Sequence, residues 1–238
     1  MLNMLRLFTA SLSILLFASC QTPLEPSGFL GEDDAKLAKN KMLPFSRSWK
    51  NPKANLSTYS RVSVRPMRVD QLRELGSFTG KNFRNIGDQA KSDAKELATL
   101  ATQRFQSELG KSPNRSVSIT SDSSKSKDLM YLETNLVQVE PGRPVAQLLN
   151  LMVPFVGILN RPSIGIEGRL VDAATGKTLF AFSDRERGEV SFLDLQEFTY
   201  YGVQRREIKL WAKQMGKVVE GNGNSLVRDS FVIQPINW

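Results

Sequence analysis

The side chains that could do chemistry in this chain are acids and arginines rather than the commonest catalytic groups. The 238 residues include no histidine and a single cysteine. This composition excludes His-based catalytic triads, the usual zinc sites and any intramolecular disulfide. Carboxylate chemistry stays open, because a glycoside hydrolase needs only two acids that face each other about 5–10 Å apart. We therefore expect a protein that is not an enzyme, with a carboxylate-only hydrolase as the less favoured alternative.

One group of charges is predicted around a β-hairpin in the C-terminal half. Glu167 and Arg169 would share one face of a strand, and Asp184 with Arg185 would end its partner strand. Opposite charges on neighbouring strands attract, so the spacing predicts a cross-strand charge cluster. Surface ion pairs are the commoner role for such a cluster, and a ligand or partner surface is the alternative. Asp172 is expected to cap the hairpin turn.

Short motif fragments point to chemistry that the surrounding sequence does not support. Residues 175–178 read Thr-Gly-Lys-Thr, like the end of a phosphate-binding loop, but Val171 stands where that loop needs glycine. Ser92 and Ser124 each precede a lysine by three residues, as in penicillin-recognising enzymes, without the K-T-G or S-D-N partners of those enzymes. We predict no nucleotide, metal or cofactor site.

The first 19 residues have the pattern of a secretory signal. Arg6 precedes an apolar run of about a dozen residues from Leu7 to Ala18, too short for a spanning helix of about 20. Small residues then precede Cys20 as in a bacterial lipobox, although Phe17 stands where leucine is usual. Cys20 is the predicted lipidation site, whose acyl chains, palmitate among them, would hold the protein on a membrane. An ordinary signal peptide with a chance cysteine, or an uncleaved anchor, is the alternative.

The residue after Cys20 and the net charge predict the compartment and its partners. Gln21 follows the cysteine, and by resemblance to Gram-negative lipoproteins the absence of aspartate there favours the periplasmic face of the outer membrane. The signal holds one basic residue and no acid, so removing it changes the formal net charge from +8 to +7, which would there attract anionic lipid head groups or peptidoglycan carboxylates rather than nucleic acid. Basic residues scattered over an ordinary surface are the alternative. We expect the membrane as one partner, through the anchor, and an envelope protein of unknown identity as another.

The elements that must position these residues form an α+β pattern. Residues 20–60 are rich in proline and glycine without a sustained period, which predicts a lipidated tether and an extended lead-in before a single domain over 61–238. The predicted elements are a strand at 61–69, a helix at 86–109, strands at 117–119 and 129–139, a hairpin at 164–184, a helix at 195–220 and a last strand at 228–233. Pro66 lacks a ladder donor, so the first strand should lie at an edge or a bulge. The order predicts two layers, a mostly antiparallel sheet with two main helices packed on it.

The most apolar stretch after the signal spans residues 145–159 and is interrupted by Pro154, which predicts a short helix that breaks. It includes Leu151, Met152 and Phe155. If these side chains are exposed, they would dock on lipid or on a partner. If they are buried, as apolar residues mostly are, they would cover one end of the sheet.

Parts of the chain resemble an uncharacterised family of Gram-negative lipoproteins that has no assigned activity. The matching residues are Ser27 to Leu30 (S-G-F-L), Glu167, Asp172, Thr175 and Gly176 in an E-x-x-x-x-D-x-x-T-G hairpin, and Trp211-Ala212 in the last helix. The resemblance implies a lipid anchor and an αβ body. The element order is also similar to small periplasmic domains of lipoproteins that activate cell-wall synthases or build secretion pores, an analogy of fold that assigns no function.

The sequence thus predicts a lipid-anchored, non-catalytic binding or scaffold protein in envelope assembly, transport or maintenance. A lipid or small-ligand carrier is one alternative, and it would require a lined apolar cavity. A cell-wall or carbohydrate hydrolase that uses only carboxylates is the other.

Overall fold

Strands and helices alternate along the part of the chain that the structure describes. The computed structural model describes residues 24–73, 84–112, 115–119, 124–140, 162–187 and 201–227. The strands are β1 (Arg47–Lys50), β2 (Arg61–Val64), β3 (Ser116–Ile119), β4 (Leu129–Glu140), β5 (Ser163–Asp172) and β6 (Thr178–Arg187), and the long helices are α1 (Arg84–Leu109) and α2 (Gly202–Glu220). No helix in these ranges is both long enough and apolar enough to cross a membrane.

The strands form one sheet in the order β1-β6-β5-β4-β2-β3. The pairs β1–β6, β6–β5 and β5–β4 are antiparallel, and β2 runs parallel to both β4 and β3. The predicted α+β fold, with a mostly antiparallel sheet and two main helices, is confirmed. Of the two positions predicted for the first strand, an edge or a bulge, the edge is wrong, because β3 lies outside β2. Pro66 has no backbone N–H to donate, but it lies two residues after Val64, the last residue of β2, and so outside the strand's own hydrogen-bond ladder.

The main core lies between the two helices and one face of the sheet. Apolar residues recur at helical spacing in both helices, so each helix has one apolar stripe. Alternate residues of the central strands face the same core. The buried side chains that fill it include Leu97, Ala101 and Phe105 of α1, Ile208, Trp211 and Met215 of α2, and Leu132, Ile166 and Phe182 of the sheet.

The opposite face of the sheet is covered by the chain that precedes β1. We call residues 24–37 the strap. Phe29 and Leu30 of the strap pack on Ala181 of β6 in a small separate apolar cluster. The strap then forms a 3-10 helix, Gly31–Lys36, whose Asp33 accepts a hydrogen bond of 2.5 Å from Thr178 Oγ1. The strap therefore adds a partial third layer to the two that the sequence predicts.

Residues before 61, which the sequence assigns to the tether and lead-in, take part in the sheet and in the main core. Strand β1 is the edge strand of the sheet and pairs with β6. Phe45 and Leu56, on either side of β1, are fully buried in the main core. The buried apolar side chains of this segment stand at irregular intervals, so the segment shows no period. Residues 1–23, with the predicted signal and Cys20, lie outside the described residues.

The predicted hairpin and its cap are confirmed. Strands β5 and β6 pair along their length. Asp172 Oδ1 accepts a hydrogen bond of 2.7 Å from the Thr175 backbone N–H, and Gly176 has a φ of +71°, a conformation that favours glycine. The predictions for 145–159 and 228–233, and the start of the last helix at 195, fall outside the described residues.

Candidate functional site

The four charged residues predicted to cluster lie on both faces of the sheet. Glu167 and Arg169 share the strap face, as their alternation requires. Asp184 pairs with Ile166 across the ladder and therefore faces the helices. Arg185 returns to the strap face, with its Nη2 4.0 Å from Glu140 Oε1. Because neighbouring residues of a strand point to opposite faces, these four side chains do not form one cluster.

Glu167 holds the strap against the sheet. Its side chain is buried, with the residue 1% exposed. The Ser27 backbone N–H donates to Oε1 at 3.0 Å, and the Ser27 hydroxyl donates to Oε2 at 2.6 Å. Gly28 follows with a φ of +92°, which turns the chain so that Phe29 packs on the sheet. A buried carboxylate is stable only when it is paired or hydrogen-bonded, and Ser27 supplies both bonds.

Asp184 is the counterpart of Glu167 on the helix face and is also 1% exposed. It accepts hydrogen bonds from the Ser46 backbone N–H at 2.8 Å, from the Ser46 hydroxyl at 2.5 Å and from Trp211 Nε1 at 2.7 Å. Asp184 therefore joins β6 to helix α2 and to the segment before β1. Its contacts are those of a structural residue.

A third acid ties the hairpin turn to the chain before β2. The Tyr59 hydroxyl donates to Asp172 Oδ2 at 2.5 Å. Burial and the neighbouring carboxylate raise the pKa of Tyr59 above its ordinary value of 10. Burial opposes ionisation of Asp172, but the hydrogen bonds from Tyr59 and Thr175 outweigh it and lower the pKa of Asp172 below 3.8. Asp172 is therefore held as a carboxylate.

An open cleft of about 300 Å³ lies on the strap face, lined by one strap residue and by the strands beneath it. We call it the arginine cleft. Its lining residues are Phe29, Arg65, Pro66, Arg68, Glu133, Thr134 and Arg169. Three of the seven are arginines and one is an acid, so the lining carries an excess of positive charge.

The arginines of the cleft are held by Glu133 and by aromatic rings. Glu133 Oε2 lies 2.9 Å from Arg169 Nε, and its Oε1 lies 3.5 Å from Arg65 Nε. The guanidinium of Arg65 lies over the Tyr131 ring, 4.3 Å from its centroid. The Arg169 guanidinium lies 5.6 Å from the centroid of Phe29. These contacts orient the two guanidiniums without using their terminal nitrogens.

Donors therefore remain in the cleft. Within the described part of the chain, Arg169 donates through Nε alone, and the Arg65 side chain makes no hydrogen bond. Arg68 pairs with Asp70 at the outer rim. Planar guanidiniums with free N–H groups match the oxygens of carboxylates and phosphates. The arrangement can thus bind an oxyanion.

Sequence reasoning found only part of this cleft. Arg169 was among the predicted residues, whereas Arg65, Arg68 and Glu133 were missed. The available signal was Glu133, a charged residue that follows the apolar start of β4, Leu129 to Leu132. The other predicted site residues, Cys20, Leu151, Met152 and Phe155, lie outside the described residues. No group of acids in the described ranges could hold a metal ion.

The fold and site together define an α+β domain whose single sheet has two helices on one face and its own N-terminal strap on the other. The chain belongs to the DUF3313 family, a family of proteins of unknown function whose model matches residues 25–215. The sequence matches no curated protein.

Several solved structures are similar at low sequence identity. The PelC dodecamer from Paraburkholderia phytofirmans is 11% identical, covering 71% of this chain and 95% of that chain with a TM-score of 0.40. Protein XCC0632 from Xanthomonas campestris is 11% identical, covering 73% and 91% with a TM-score of 0.42. Lipoprotein GNA1162 from Neisseria meningitidis is 15% identical, covering 71% and 99% with a TM-score of 0.23. At these scores we take no functional argument from them.

Proposed function

We propose that this chain is a lipid-anchored protein of the periplasmic face of the outer membrane, with a non-catalytic binding role in envelope assembly, transport or maintenance. Cys20, the chain's only cysteine, follows small residues at the end of a secretory signal pattern. Gln21, in place of aspartate, favours the outer membrane. Three acyl chains on Cys20 would anchor the protein stably, since two lipid signals already suffice.

The start of the domain supports an anchor held close to the fold. Leu24 is 3% exposed and packs closely on Gly165 of β5. A Cβ added at Gly165 would lie only 2.8 Å from Leu24 Cδ1. Only residues 21–23 separate Leu24 from Cys20. A fully extended chain covers the four steps from the Cα of Cys20 to the Cα of Leu24 in about 14 Å, at roughly 3.5 Å per step. Lipidation of Cys20 would therefore hold this end of the strap next to the head groups.

The observation that carries the non-catalytic role is the use of the acids. Glu167 and Asp184 are both buried and hydrogen-bonded to groups that hold the layers together. The arginine cleft contains one carboxylate among its lining residues, Glu133, and it lies between two arginines. Hydrolysis of a glycosidic bond by carboxylates requires two that face each other. The cleft is suited to binding an anion.

Mass spectrometry of the N-terminal peptide tests the anchor. Trypsin should release residues 20–36 from envelope-derived protein, because Lys36 is the first basic residue after Cys20. We expect this peptide to begin at Cys20 and to carry the acyl chains. A Cys20→Ser variant should retain residues 1–19 and carry no acyl chains. An unmodified Cys20 in the wild-type protein would contradict the anchor.

Incubation with peptidoglycan tests the absence of catalysis. The full-length protein is expected to release no soluble glycan fragments. Release that a Glu133→Gln variant abolishes would instead support the hydrolase.

A further inference from the structure

We infer that the arginine cleft binds a doubly charged phosphate group, carried as a monoester by a larger envelope molecule. The inference rests on the proposed binding role, but it does not depend on the lipid anchor.

The charge of the cleft sets the charge of the ligand. Three guanidiniums and one carboxylate line it, an excess of two positive charges. Asp70 shares Arg68 at the rim, where both side chains are about half exposed and the pair is weakened by solvent. Arg65 and Arg169 share the single carboxylate of Glu133. A dianion would complete the neutralisation that Glu133 begins.

The free donors set the chemistry of the ligand. Arg65 and Arg169 keep their terminal nitrogens without acceptors among the described residues, and their guanidinium carbons lie 4.3 Å and 5.6 Å from the centroids of aromatic rings. Orientation by Glu133 and by Tyr131 and Phe29 reduces the side-chain entropy lost on binding. A planar guanidinium with free terminal N–H groups favours two parallel hydrogen bonds to phosphate oxygens.

The size and opening of the cleft set the form of the ligand. About 300 Å³ is at the lower end of the range for small-molecule pockets. It accommodates one phosphate and its first attached atoms, and the remainder of the molecule would extend into solvent. Phe29 of the strap, which packs on Ala181 of β6, supplies an apolar wall, and a wall of low polarity strengthens the charge interactions beside it.

Isothermal titration of the full-length protein in non-ionic detergent with inorganic phosphate, at fixed ionic strength, tests the site. Arg169→Gln should weaken phosphate binding about tenfold, which corresponds to about 1.4 kcal/mol. Glu133→Gln should tighten binding several-fold, because it removes the carboxylate that competes for the same guanidiniums. Acetate, a monoanion, should bind at least tenfold more weakly than phosphate. Opposite effects of Arg169→Gln and Glu133→Gln on phosphate affinity would distinguish a binding site from a structural ion pair. Loss of a structural ion pair would destabilise the fold in both variants.

The Arg61–Asp128 ion pair provides matched controls. It joins the start of β2 to the residue before β4, with both side chains nearly half exposed. Arg61→Gln and Asp128→Asn change the net charge as the cleft variants do, and neither should alter phosphate binding. If Arg169→Gln fails to fold by thermal melting, Arg65→Gln takes its place.

Micelles containing phosphatidic acid distinguish a lipid-borne phosphate from a free one. Binding of inorganic phosphate and of doped micelles alike supports a cleft that accepts the group from any source. Binding of the doped micelles alone, lost in Arg169→Gln, assigns the cleft to a lipid head group. No binding to either probe, or binding that the control variants change as much as the cleft variants, overturns the inference. A protein that binds phosphate but lacks acyl chains on Cys20 would contradict the anchor and leave the cleft standing.

Discussion

Replacing Ser27 with alanine should release the strap from the sheet. The change removes the 2.6 Å hydrogen bond from the Ser27 hydroxyl to Glu167 and keeps the backbone bond of 3.0 Å. Because Glu167 is 1% exposed, water cannot replace the lost donor without opening the strap. A hydrogen bond to a charged group contributes about 1.5–3 kcal/mol, so we expect a loss of about 2 kcal/mol in the free energy of unfolding.

The assay is thermal unfolding combined with limited proteolysis. For a domain of about 200 residues, 1 kcal/mol shifts the Tm by about 2–4 °C, so Ser27→Ala should lower the Tm by about 4–8 °C. Trypsin should also cleave after Lys36 faster than in the wild type, because the strap opens more often. Ser57→Ala is the matched control, since Ser57 is exposed, and its Tm should change little. A Tm for Ser27→Ala that matches Ser57→Ala would refute the role of Glu167 in holding the strap.

Three further predictions follow from the other buried contacts. Trp211→Phe removes the donor to Asp184 and should cost about 2–3 kcal/mol in urea unfolding; a cost below about 1 kcal/mol would count against the contact. Asp172→Asn should be less stable than the wild type at neutral pH. Folding lowers the pKa of Asp172, so the carboxylate stabilises the fold fully above about pH 4 and loses this effect as the pH falls through its pKa in the folded protein. The difference in Tm between the variant and the wild type should therefore close in acid. A Tm difference independent of pH would contradict this. Gly168→Ala places a Cβ 2.4 Å from Phe182 Cε1. In the same urea assay it should lower the free energy of unfolding by about 1–3 kcal/mol. An unchanged urea midpoint would show that the Phe182 ring can move aside.

The helices and the hairpin were predictable because their signals are local. Apolar residues three and four apart specify the buried stripe of α1, and its predicted end at 109 agrees with Leu109. The turn after Asp172 carries its own cap and its own glycine. Interactions within a few residues decide these elements, and the sequence displays them directly.

The strap and β1 could not be predicted in the same way. Ser27 and Glu167 are 140 positions apart, and no period in the strap indicates that the two meet. Residues 24–60 show neither a helical nor a strand period, yet Phe45 is completely buried. Long-range contacts override the local pattern there, and one sequence does not reveal them.

The arginine cleft depends on strand register, which explains why only Arg169 was found. The pairing of β4 with β5 sets Glu133 opposite Arg169, and β2 brings Arg65 alongside Leu132. A shift of one residue would turn these side chains to the other face. Glu133 follows four apolar residues of β4 and is an acid that the sequence could have singled out, but its partners are specified by the register alone.

Photo-crosslinking from the rim of the arginine cleft in intact cells tests the central claim most directly. A photoreactive residue in place of Pro66, which lines the cleft and is exposed, leaves its three arginines in position. The same residue in place of Ser107, exposed on α1 on the opposite side of the sheet, is the control. We predict a recurrent adduct with one phosphate-bearing envelope component from position 66 and none from position 107. The same adducts from both positions, or none from position 66, would contradict a binding role for this face.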